Sequence, residues 1–227
     1  MFSEIGIGQL CGFLYLFILF TSALSKGLAG APLDSEAVSG TLGAVAEGGK
    51  RFQFSIVLDL ASHASVVALA GALFLAFSPY NRSLALLGSL WRVAEGTILA
   101  LNEVNSVVLL AVARRYASAT GAEAVTLETL GRARIVADDW GFKTGLALLA
   151  LGSLLYGILF VSSGAVPPLL AWWGLVAGLL AVVGTWSALF IADVPMVLRT
   201  VSFVPIILFE LVFGIWLLFW GGQIGAS

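Results

Sequence analysis

Six apolar runs, each near the roughly 20 residues that a helix needs to cross a bilayer, dictate the fold class. They fall at about residues 6–25, 53–77, 84–112, 140–162, 169–191 and 201–220. The chain has 227 residues, of which 60% are hydrophobic and 11% charged, and its mean hydropathy is +1.05. Soluble domains do not have this composition, so the reading is an all-α polytopic membrane bundle of six transmembrane helices, one domain over 1–227. The first run is preceded by Glu4 and by no Lys or Arg. It therefore lacks the basic start of a cleaved signal and is expected to be a retained span.

Several function classes drop out early. A net charge of −2 gives no basic surface for nucleic acid. A single cysteine, Cys11, allows no internal disulfide or cysteine-built metal site, and a single histidine, His63, argues against three-histidine zinc chemistry. No cofactor is expected.

The polar residues inside the third run then need an explanation. At about 100° per residue, Arg92, Glu95, Asn102, Glu103 and Ser106 share one stripe with Gly96 and Leu99, with Asn105 at its edge. An ionisable side chain facing hydrocarbon costs at least about 2.5 kcal/mol, so the stripe should face other helices. The second run carries Asp59 and His63 at i and i+4, and the sixth carries Glu210. At about 1.5 Å of rise per residue, these side chains fall in one layer between roughly 7 and 18 Å from the face of the long connections, Arg92 lying a little beyond.

A shared polar site for a proton, ion or ligand is therefore expected, with Asp59, His63, Arg92, Glu95, Asn102, Glu103 and Glu210 as its members. Four carboxylates there face one certain cation, Arg92. Either some stay protonated or a cation or basic ligand neutralises them. The structural alternative is that Arg92 and Glu95 simply pair at i, i+3 while Asn102 and Asn105 bond across the bundle. Asp59 with His63 reads as a satisfied core pair rather than a metal pair. Ser55, Ser62 and Ser65 near His63 offer the residue types of a hydrolase, but no GxSxG elbow accompanies them.

The remaining features are structural. Gly8, Gly12 and Tyr15 form a small-residue seam in the first run, and Gly174 and Gly178 make a GxxxG pair in the fifth, read as helix packing. Residues 29–51 read as a loop with a short surface helix in SEAVSGTLGAVAEGG, too polar to cross. Residues 116–138 read as a partly helical, solvated connection, after which Lys143 falls in the first turn of the fourth span.

WRVAEGTILALN, the segment from GILFVSSGAVPP to WWGLVAGL, and the closing FELVFGIWLLFWGG together resemble a family of bacterial integral membrane proteins described only as a domain of unknown function, DUF4386. The specific marks are Arg92 with Glu95, the Ser163-Gly164 and Pro167 turn ahead of Gly174 and Gly178, and Glu210 ahead of Trp216. The resemblance implies a multispan helical protein of the bacterial inner membrane and brings no activity or catalytic residue with it. It also implies basic residues before the first span and after the fourth, where this chain holds Glu4 and SSGAVPP. The positive-inside rule here places the long connections in the cytoplasm, because Lys26, Lys50, Arg51, Arg114, Arg115, Arg132, Arg134 and Arg199 lie on their side against Arg82 on the other. The family pattern implies the opposite orientation.

The function expected from these residues is a small transporter or ion-coupled permeation protein. Two alternatives stay open, a non-catalytic accessory or assembly subunit of a larger membrane complex and an intramembrane lipid-modifying or hydrolytic enzyme. The expected partners are membrane lipid and, through the apolar faces, other membrane subunits.

Overall fold

The computed structural model describes residues 6–30, 33, 36–191 and 196–224, with 196–200 as backbone only. Six helices follow one another: α1 (Ile7–Ala29), α2 (Val38–Phe77), α3 (Arg82–Tyr116), α4 (Ala122–Ser163), α5 (Pro168–Phe190) and α6 (Met196–Trp220), with a 3-10 turn at Gly221–Gln223. All six are long and apolar enough to cross a membrane, and no strand occurs among the described residues. The fold class is all-α, and the protein is a multi-pass integral membrane protein.

The helix ends follow local rules. Asn81 caps α3, its Oδ1 accepting the Leu84 N–H at 3.1 Å. After Ser163 the backbone turns left-handed at Gly164, φ 67°, where a side chain would be strained. Pro167 and Pro168 then open α5 with a preset φ and no lost helical donor.

Two expected connections prove to be helix. Residues 38–48 lead directly into the second span, and α2 bends where Gly49 leaves helical geometry. The segment before Trp140 is equally continuous with the fourth span, so α4 runs for 42 residues. Its first half is an amphipathic helix rather than a loosely solvated connection. Leu127, Gly131 and Ile135 line its buried face. Lys143 consequently sits in the middle of α4, not in a first turn. α6 also begins earlier than hydropathy suggests, which puts Pro205 inside it. The missing donor there leaves one carbonyl without its helical partner, a defect that membrane helices tolerate.

The chain divides into two compact units. Unit one comprises Met1–Leu19, Ala64–Thr97 and Lys143–Ser227; unit two comprises Phe20–His63 and Ile98–Phe142. In unit one, the Phe160 ring lies tilted against Phe77 at 4.9 Å and Phe213 at 4.8 Å, with Leu69, Leu73, Leu159 and Leu217 around them. Glycines bring its backbones together. A Cβ on Gly12 would lie 2.6 Å from the Gly214 carbonyl oxygen, which ties α1 to α6. One on Gly178 would lie 2.9 Å from Leu154 Cα, and one on Gly174 would strike the Phe209 ring at 2.7 Å. Unit two has its own core of Leu42, Val45, Phe52, Ile56, Leu109 and Leu127. There Gly131 lets Leu42 settle on α4, since an added Cβ would meet Leu42 Cδ2 at 3.2 Å.

Candidate functional site

The polar stripe of α3 is its inward face. Arg92, Glu95, Gly96, Leu99 and Glu103 are buried, whereas Leu101, Val104 and Ala111 are exposed. The seven expected site residues are divided between the units. Arg92, Glu95 and Glu210 belong to unit one, and Asp59, His63, Asn102 and Glu103 to unit two.

In unit one, Arg92 Nη1 lies 3.1 Å from Glu95 Oε2 and 3.4 Å from Glu210 Oε1. The first contact is the i, i+3 pair within α3; the second ties α3 to α6. Arg92 and Glu95 are each 2% exposed and Glu210 8%. These are ion pairs by distance only. Arg92 Nε and Nη1, Glu95 Oε2 and Glu210 Oε1 have no hydrogen-bond partner among the described residues, because the N–H directions do not meet the oxygens. The guanidinium stem rests on Gly152, where a Cβ would come within 3.1 Å of Arg92 Cγ and Cδ. One turn earlier on α3, the Ser89 hydroxyl donates to the Ala70 carbonyl at 2.8 Å and pairs with Tyr156 Oη at 2.6 Å. Gly88 admits the Tyr156 ring, 2.9 Å from where its Cβ would be. Neither Ser89 nor Tyr156 stands out in the sequence, although the small residues at 88 and 89, i−4 and i−3 from Arg92, mark a close helix crossing.

In unit two, the expected i, i+4 pair of Asp59 with His63 is replaced by partners from other helices. Asp59 Oδ2 accepts from Ser25 Oγ of α1 at 2.6 Å. His63 Nε2 faces Glu103 Oε1 of α3 at 3.4 Å. Ser25 also bonds the Ser55 carbonyl, Ser55 bonds the Phe52 carbonyl and Ser62 pairs with Ser22 at 2.7 Å. The Ser25 and Ser22–Ser62 bonds join α1 to α2, and the Ser55 hydroxyl bonds back within α2.

Asn102 donates to both the backbone carbonyl and Oδ1 of Asp138, at 3.0 and 2.9 Å. Asn105 donates to Asn102 Oδ1 at 3.0 Å and accepts from Arg134 at 3.4 Å. Gly141 makes room, since a Cβ there would overlap the Asn102 amide. Asp138 and Arg134 were not expected here, because the segment that carries them reads as solvated. The signal was present all the same, for Asp138 continues the stripe of Leu127, Gly131 and Ile135 at helical spacing.

Chemically, the two networks differ. The second is largely closed by hydrogen bonds of good length, with the Arg134 Nε as its unpartnered buried atom. The first holds two carboxylates and one guanidinium, all buried, with four polar atoms unpartnered. No group of three or more His, Cys, Asp or Glu residues suited to a metal ion occurs among the described residues.

No curated protein and no solved structure matches the chain. The family described as Domain of unknown function (DUF4386) matches residues 10–221, nearly the whole chain including α3, the α4–α5 turn and Glu210, and the protein belongs to that family.

Proposed function

We propose that this protein is a small ion-coupled permeation protein or transporter of a bacterial inner membrane, and that Arg92, Glu95 and Glu210 hold its exchangeable proton or monovalent cation. One observation carries the reading. Three buried ionisable groups with a formal sum of −1 lie within ion-pair distance and leave four polar atoms without hydrogen bonds. A buried net charge is costly, and unpartnered polar atoms add about 1–3 kcal/mol each. A bound proton cancels the excess charge and supplies a donor to a carboxylate; a small cation cancels it by coordination to the same oxygens. Ionisable groups inside membrane helices mark ion and proton routes often enough to make this the leading assignment.

The test uses purified protein in liposomes with an entrapped pH-sensitive dye, under imposed H+, Na+ or K+ gradients. Wild type should change the lumenal pH faster than protein-free liposomes, and Glu95→Gln and Glu210→Gln should each return the rate to the protein-free value. Wild-type liposomes indistinguishable from empty ones under all three gradients would sink the proposal. So would either variant running at the wild-type rate.

A further inference from the structure

Within unit two, α2 and α3 run antiparallel and leave an open groove of ≈ 370 Å³ between Gln53, Ile56 and Leu60 on one side and Val107, Ala111 and Arg114 on the other. Gln53 and Arg114 close the same end, their side chains joined at 3.4 Å. From there to Leu60 and Val107 the walls are aliphatic for seven residues, or about 10 Å of helix. Arg114 is the one charged side chain in its lining. Lys50, exposed and three residues before Gln53, stands on the same side of α2 and forms no ion pair among the described residues.

A second open groove, ≈ 530 Å³, lies on the other flank of the α3 ridge and shares Val107 and Ala111 with the first. At its end Arg115 already binds Glu123 at 2.8 Å. The two flanks are thus alike in apolar lining and differ in charge at the head.

We propose that the α2–α3 groove binds an anionic phospholipid. An acyl chain lies along Ile56, Leu60, Val107 and Ala111, and the phosphate sits at Arg114 with Lys50 beside it. Charge complementarity decides the occupant. A protein helix needs no phosphate-sized cationic end, whereas a lipid presents one negative charge above a flexible apolar chain, in the order that the groove displays. Arg115 contributes less, being neutralised by Glu123.

The proposal is tested by native mass spectrometry of delipidated protein given equal amounts of dioleoyl phosphatidylglycerol and dioleoyl phosphatidylcholine. Phosphatidylglycerol should be retained preferentially. Arg114→Gln should lower that preference about fivefold, and Lys50→Gln should lower it again, as expected for about 1 kcal/mol per basic residue near a lipid surface. Arg82→Gln, an equal charge change at the opposite end of α3, should leave it unchanged, and Leu60→Trp, at a position that lines this groove and not the second, should remove bound phosphatidylglycerol by filling the groove. Equal retention of the two lipids, or an Arg82→Gln effect as large as that of Arg114→Gln, would overturn the assignment. So would dimers of the delipidated wild type that Leu60→Trp abolishes, since they would give the groove to a second copy of the chain.

Discussion

Replacing Arg92 by Met should be far more damaging than removing either of its carboxylate partners, because it breaks both ion pairs and each carboxylate change breaks one. At an effective dielectric of about 20, the contacts at 3.1 and 3.4 Å are each worth about 5 kcal/mol of attraction before desolvation. Arg92→Met loses both and leaves two buried carboxylates facing each other. After the arginine's own desolvation is recovered, the net loss should be about 3–5 kcal/mol. Glu210→Gln loses one attraction, but it also removes a buried charge and its repulsion from Glu95, taking the formal sum from −1 to 0. Its net effect should stay within about 1 kcal/mol. For a chain of 227 residues, those figures correspond to melting shifts of roughly 6–20 °C for Arg92→Met and under about 4 °C for Glu210→Gln. Thermal unfolding in detergent, followed by the loss of the monodisperse species, reads both. Should Arg92→Met fail to accumulate, the apolar triple variant Arg92→Met, Glu95→Leu, Glu210→Leu should restore a folded protein, because no buried charge is left in the trio. Equal damage from Arg92→Met and Glu210→Gln, or a triple variant as unstable as Arg92→Met, would refute the charge argument.

Two further outcomes follow from the packing. Gly12→Ala places a methyl 2.6 Å from the Gly214 carbonyl oxygen, and backbone cannot yield as a side chain does, so a loss of about 1–3 kcal/mol is expected in the same melting assay. Asn102→Ala removes both bonds to Asp138 and should cost about 1–3 kcal/mol. Hydrogen exchange should show faster opening around Asp138 in that variant, with the Phe77 and Phe160 region unaffected.

Hydropathy and helical spacing account for six helices and for the inward face of α3, because a bilayer demands long apolar runs and penalises ionisable groups that point into lipid. The same logic singles out Arg92, Glu95 and Glu210, which do meet. It fails where the helices continue past the apolar window. Residues 38–48, rich in Gly, Ser and Thr, and 122–139, rich in Glu, Arg and Asp, look like connections, yet Leu42, Val45, Leu127 and Ile135 give them an apolar stripe that packs on α3. A period-3.6 reading of those segments would have exposed it; a mean over the window hides it. Partner choice was less legible still. Asp59 and His63 share a face of α2 at i, i+4, but Ser25 and Glu103 take them. Which neighbour reaches a polar side chain depends on helix rotation and on small residues such as Gly141, and neither is encoded at the polar position.

The contrast between the two polar networks is also why exchange is proposed for the trio and not for the more crowded set. Asn102, Asn105, Asp138 and Arg134 match donors to acceptors along a chain of bonds between 2.9 and 3.4 Å. The buried atom that this set leaves without a partner is a donor, Arg134 Nε, which cannot bind a cation, so an added cation must break bonds to enter. Glu95 and Glu210 instead crowd one guanidinium whose N–H groups do not point at them. There a proton or cation raises the number of satisfied contacts and lowers the buried charge in one step. Binding and release at such a place change little else, which is what a shuttling ion requires.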